Sequence, residues 1–132
     1  MPDPTTTSPP VTVTKSSSLQ TSGTQTSGMI RQNALTDLTP NLCASRMIAK
    51  PHTASAIHHH EDQDTVVFAF SGSGGTIVSE GGAKRERLEP GDFAMIPAWK
   101  EHQEVNEGEE EVVWCIVRSG GSPKVRNLEG WS

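Results

Sequence analysis

The chain has 132 residues, a formal net charge of -5 and a hydrophobic content of only 33%, with 12 Gly and 9 Pro. That length holds one domain, and so lean and turn-rich a composition suits a small all-β domain better than a helical one. An acidic balance without a basic stripe argues against a nucleic-acid partner. No apolar run approaches the roughly 20 residues of a membrane span.

Residues 1–28 are mostly Ser, Thr, Pro and Gly, with Val11, Val13 and Leu19 as the large aliphatics. Such a stretch buries too little apolar surface to offset its ordering entropy, which predicts a disordered tail. The alternating Val11-Thr12-Val13-Thr14 leaves a second reading, an arm that adds a strand to a neighbouring subunit. Residues 29–42, with Ile30, Leu35, Leu38 and Leu42 around Pro40, are a lead-in segment with room for one helical turn. From residue 43 to 132 short apolar runs alternate with turn residues, as in a single β-barrel domain.

The predicted strands are Ala44 to Lys50, Ala54 to His60, Val66 to Phe70, Thr76 to Ser79 and Lys84 to Leu88. Phe93 to Ile96, Gln103 to Asn106, Glu111 to Arg118 and Lys124 to Leu128 complete the set. Between them, Ser71-Gly72-Ser73-Gly74-Gly75 demands positive φ, and Glu89-Pro90-Gly91-Asp92 is a strong turn. No segment after residue 42 has a sustained helical period. About eight or nine strands is the count of a double-sheet jelly roll enclosing a ligand-sized interior.

Ile57-His58-His59-His60-Glu61-Asp62-Gln63-Asp64 is the stretch richest in chemistry. On a strand, His58 and His60 share a face with Cα atoms roughly 6.6 Å apart, while His59 points away. Asp64 could return a carboxylate to the same point, and His102 is a fourth candidate, giving the nitrogen and oxygen donors that first-row divalent metals accept. His52 is read as a solvated loop residue. Cys43 and Cys115 are too few for a disulfide framework. With no basic start and apolar stretch to mark export, they are expected to be free, buried thiols in a cytoplasmic protein.

Taken together, these segments resemble a small single-domain cupin. That family's first motif is matched by His58, His60, an acidic residue after a short spacer, and an apolar strand ending at Gly72. Its second is matched by Pro90-Gly91-Asp92, the strand Phe93 to Ile96, Pro97, His102 and Asn106. The resemblance implies a double-stranded β-helix in which His58, His60, an acid and His102 converge on one metal. With three spacer residues the acid is Asp64, and with four the position falls on Thr65, a poor ligand. Asp64 is favoured, Gln63 is the second candidate, and a site of three histidines alone stays open.

The function so implied is that of a metal-dependent enzyme acting on a small organic substrate, with a dioxygenase using Fe(II) first. A Zn, Ni or Mn isomerase, lyase or dehydratase is the alternative, and a non-catalytic ligand-binding module with a structural metal the reading from another class. The chain has no Tyr, so a tyrosinate base is excluded. Glu104, two residues from His102, is a candidate general base or else part of the solvated acidic hairpin, and Gln63 is a second candidate catalytic group. Trp99 is placed as a roof over the pocket, with Trp114 and Trp131 as packing residues. Arg46 and Arg118 are read as solvated strand-end arginines, with contact to an anionic substrate as the alternative. Because Val66 to Phe70 and Val112 to Val117 are apolar on both faces, one face must be covered by a second sheet or subunit, which predicts a homodimer.

Overall fold

The computed structural model describes residues 8–21 and 28–132. The strands are β1 (Gln20–Thr21), β2 (Met29–Leu35), β3 (Leu42–Ala49), β4 (Thr53–Ala54), β5 (His58–His59) and β6 (Thr65–Ser71). They continue with β7 (Gly75–Ser79), β8 (Lys84–Arg87), β9 (Phe93–Ile96), β10 (Gln103–Asn106), β11 (Val112–Ser119) and β12 (Arg126–Asn127). Helix among the described residues amounts to two short 3-10 turns, Ser16–Ser18 and Glu80–Gly82. One sheet runs β1-β2-β3-β11-β6-β9, a second β4-β10-β7-β8, and β12 pairs with β5. A bridge between His58 and His102 joins β5 to the lead-in of β10. The result is a double-stranded β-helix.

Side-chain alternation makes the interior. Along β11, Val112, Trp114, Ile116 and Arg118 are buried, and along β3 Cys43, Ser45, Met47 and Ala49 are buried with them. Cross-strand pairing sets Trp114 opposite both Met47 and Ala69, and Ile116 opposite Ser45 and Val67. Gly75 gives Trp114 its room, because a Cβ there would lie 2.7 Å from the indole ring. The turn after β6 needs glycine too: Gly72 has φ +88°, and a Cβ on it would meet the Glu111 carbonyl at 2.1 Å.

Three segments depart from the sequence-based expectation. The lead-in at 29–42 holds no helical turn: Met29–Leu35 is a seven-residue strand laddered along β3, with a bulge between Asn33 and Leu35. Backbone pairing to a neighbouring strand overrides a weak local preference. Ala54 to His60 is not one strand but two short ones, β4 and β5, separated at residues 55–57. Lys124 to Leu128 shrinks to Arg126–Asn127.

For the tail, residues 1–7 and 22–27 lie outside the described residues. Within 8–21, Val11 and Val13 are exposed and not in a strand. Gln20–Thr21 adds instead to β2 of the same chain, and the Thr14 hydroxyl donates to the Ala34 carbonyl at 2.8 Å.

The outer face of the larger sheet is apolar along β6 and β9. Phe70, Phe93 and Met95 are 67%, 72% and 61% exposed, and the Phe68 and Phe93 rings lie 4.7 Å apart. Both cysteines are free. Cys43 is buried, but Cys115 belongs to this outer face and is exposed, because alternation along β11 turns it away from Trp114.

Candidate metal centre

The paired β5 and β10 segments bring the histidines together. His58 and His102 exchange backbone hydrogen bonds at 3.0 and 2.9 Å, so their side chains rise from adjacent points of one face. Their ring centroids are 4.3 Å apart, and that of His60 lies 5.3 Å from His58 and 4.8 Å from His102. His59 turns outward onto Trp99, at 5.4 Å. Two residues past His102 along β10, Glu104 faces the same point. One donor atom from each of His58, His60, His102 and Glu104 lies within 4.8 Å of the others, and all four residues are buried.

Each donor is aimed by a second partner. His58 Nδ1–H donates to the Ala56 carbonyl at 2.7 Å, and His102 Nδ1–H to the Lys100 carbonyl at 2.9 Å. These bonds assign the proton to Nδ1 and leave Nε2 with its lone pair. His60 Nδ1 meets the Thr65 hydroxyl at 2.8 Å. Ser55 steadies the acid: its hydroxyl donates to Glu104 Oε2 at 3.1 Å and accepts from the Glu104 N–H at 3.0 Å. Such outer partners fix ring orientation and ligand basicity.

The electrostatics are unbalanced without a cation. The Nε2 atoms of all three histidines are buried and have no hydrogen-bond partner. Nevertheless Glu104 Oε2 lies 3.1 Å from His58 Nε2, and Oε1 lies 3.4 Å from His102 Nε2. A lone pair then faces a carboxylate oxygen, which is repulsive unless a positive charge sits between them. A proton would satisfy one such contact; a divalent metal with nitrogen and oxygen ligands would satisfy all four donors. Burial alone would raise the Glu104 carboxyl, yet His58 and His102, when a proton sits on their Nε2 atoms, hold it well below the usual carboxylate range. At His58, burial acts downward but Glu104 outweighs it, and the net shift is upward. Burial, reinforced by the Arg118 charge, pushes His60 down to about 2, so that ring stays neutral.

Asp64 is not brought into this group. Its neighbour Thr65 points inward, so Asp64 points out, and its exposed carboxylate accepts the Ala98 N–H at 2.9 Å. Asp64 thus ties down the loop that leads to His102, and the carboxylate at the centre is that of Glu104. Gln63 is buried but committed elsewhere: its Nε2 donates to the Ser122 carbonyl at 2.7 Å, and its Oε1 accepts from the Lys124 N–H at 2.8 Å. Both ends of its amide are taken by backbone, away from the four donors of the centre. Trp99 does not roof the interior either. It is 60% exposed and lines a surface cleft of about 480 Å³ with Trp131, Glu80, Lys100 and Glu101.

The inward Glu104 carried a sequence signal in its two-residue spacing from His102. Thr65, at the four-spacer position, offers only a hydroxyl, a poor ligand, and its part is to hold His60. Ser55 gave no signal, since it meets Glu104 only through the pairing of chain segments 49 residues apart. A second cleft, of about 290 Å³, has His102 in its wall together with Ile77, Ser79, Met95, Ile96 and Lys100.

Comparison with known proteins agrees with this architecture. The family described as Cupin domain matches residues 45–118, more than half of the chain. Over 80 residues, 61% of this chain, the sequence is 28% identical to gentisate 1,2 dioxygenase 1 of Aquipseudomonas alcaligenes, spanning only 22% of that protein. The polyketide cyclase RemF of Streptomyces resistomycificus superposes with a TM-score of 0.74 at 14% identity, covering 89% of this chain and 85% of its own. KdgF of Halomonas sp. gives 0.69 at 20% identity, covering 83% and 94%. At such identities the structures speak for the fold, and the family match covers both histidine-bearing segments: the chain belongs to the cupin family.

Proposed function

We propose that the chain is a metal-dependent enzyme acting on a small organic substrate, with His58, His60, His102 and Glu104 as the metal ligands and dioxygenation as the reaction. The observation that carries this reading is the convergence of three unpartnered Nε2 atoms on one buried carboxylate. The partial likeness to a gentisate dioxygenase favours oxygen chemistry over the isomerase and lyase alternatives. A bound Fe(II) would supply a redox-active Lewis acid able to join an organic substrate to dioxygen.

The chain's own residues do the rest. The Ala56 and Lys100 carbonyls and the Thr65 hydroxyl hold the three rings in place. Ile77, Ile96 and Ile116 keep bulk water from the interior. With no tyrosine in the chain, Glu104 is the buried carboxylate available among the described residues to accept a substrate proton, and Ser55 holds its Oε2 during the exchange.

The test is metal analysis of protein purified without a tag, with oxygen uptake followed on Fe(II)-loaded protein across catechols, hydroxybenzoates, diketones and keto acids. A single divalent ion per chain is expected. His102→Ala or Glu104→Gln should lower metal affinity by roughly 10- to 100-fold or more, whereas His59→Ala and Asp64→Ala should retain it. Absence of metal from the wild type, or equal loss in His59→Ala, would overturn the site. Turnover with Zn or Mn but no oxygen uptake would overturn the dioxygenase assignment.

The exposed Phe70, Phe93 and Met95 face fits a second copy of the chain, so a homodimer is proposed as well. Light scattering should give twice the chain mass at micromolar concentration, and a monomer would rule it out.

A further inference from the structure

Arg118 ends the run of inward residues on β11 and is only 2% exposed. Its cross-strand neighbours are Cys43 and Thr65, and Thr65 is the residue whose hydroxyl holds His60. The guanidinium therefore lies on the same interior face as the metal centre, one cross-strand step from a ligand-supporting side chain. It is close enough for its charge to act on His60 and Glu104. One bond anchors it, from Nη1 to the Lys124 carbonyl at 3.3 Å. Nε and Nη2 are buried and have no partner.

Those two nitrogens form one edge of the guanidinium, and their N–H bonds run parallel, the fork that meets both oxygens of a carboxylate. A buried donor pair left without an acceptor is costly, and a charge left so is costlier. Burial and the neighbouring Arg31 push Arg118 down only to about 10, so it stays charged near neutral pH. Glu104 is the one buried carboxylate among the described residues, and its two oxygens already face His58 and His102. A divalent ion would add further positive charge. The interior thus lacks an anion, and the geometry of what is missing is that of a planar carboxylate.

We infer that Arg118 is the anchor for a substrate carboxylate, its Nε and Nη2 taking both oxygens beside the His58, His60, His102 and Glu104 group. The substrate class is then an organic acid, not a neutral diketone or sugar. This deepens the proposed function and rests on it for the role of the metal, but the anion site itself needs only Arg118.

The probe is formate, the smallest carboxylate, against formamide, its neutral counterpart, with sodium chloride matching ionic strength. Thermal melting is followed for chelator-stripped and metal-loaded protein. Formate at about 100 mM should raise the wild-type melting temperature by about 2–4 °C beyond chloride, and formamide should not. In Arg118→Met, which removes the charge at similar volume, the formate shift should vanish while metal content is unchanged. If that variant does not fold, Arg118→Lys, which keeps the charge without the fork, should show less than half the wild-type shift. No formate-specific shift in the wild type, or an undiminished one in either folded variant, would overturn the inference. Failure of the metal reading shows separately, as wild-type protein that takes up no metal while its stripped form still distinguishes formate from formamide.

Discussion

The two ends of the barrel interior are lined by the same strands and do opposite work. At one end β11 contributes Val112, Trp114 and Ile116, packed with Met47, Ala49, Val67, Ala69 and Ile77. At the other the same alternation delivers Arg118, beside Thr65, Cys43 and the histidine group. Alternation decides only which residues face inward; their identity decides whether the space they enclose is held by packing or by charge. The apolar end loses stability when volume is removed. The polar end loses it when charge balance is disturbed.

The largest expected break of this contrast is Trp114→Ala. The side chain is 1% exposed, and truncating a buried Trp costs about 3–5 kcal/mol, read by urea denaturation of metal-free protein. The fraction that remains folded should bind metal normally. A cost below about 1 kcal/mol would mean that the apolar end is not the part that holds the barrel together.

A smaller effect sharpens the polar end. In metal-free protein His60 is held at about 2 against an ordinary 6.5. Below pH 6.5 the unfolded chain therefore takes up a proton that the folded chain refuses, and stability falls on acidification, by about 1 kcal/mol between pH 6.5 and 5.5. The slope from His60 fades above that range and is nearly gone by about pH 7.5. His58 is shifted the other way, so its contribution is complete below 6.5 and is lost only as pH rises through its raised value. Urea denaturation in chelator should show the acid slope, and His60→Gln should flatten it. A wild-type profile with no slope in that window would show that the His60 ring is not buried as described.

Much of the fold was legible because turn residues bracket the strands. Phe93–Ile96 lies between Pro90-Gly91-Asp92 and Pro97, and Gln103–Asn106 precedes Gly108; both strands form with the bounds read from sequence. Met29–Leu35 was not legible, since its reason for being extended is the ladder with β3, which no local pattern reveals. The position of Asp64 was obscured by the continuous apolar run that follows it: with Val66, Val67, Phe68, Ala69 and Phe70 all apolar, the sequence does not say which parity faces in. Once Thr65, Val67 and Ala69 are seen to be buried, Asp64 must face out. Arg118 was read as solvated because it ends a strand, but residues 120–124 fold over it, and the Lys124 carbonyl takes its Nη1.

That covering segment is held by Gln63, whose amide pairs with backbone on both sides, at the Ser122 carbonyl and the Lys124 N–H. The consequence is one of timing. Gln63 lies three residues after His60, and its partners lie about 60 residues further along the chain. A chain emerging from the N-terminal end displays His58 and His60 long before His102 or the segment that clasps Gln63 exists. The histidine pair must therefore wait, without its full ligand set, until the last tenth of the sequence closes over it. Contacts of such long separation form late and slowly, so the group of His58, His60, His102 and Glu104 is completed only at the end of folding.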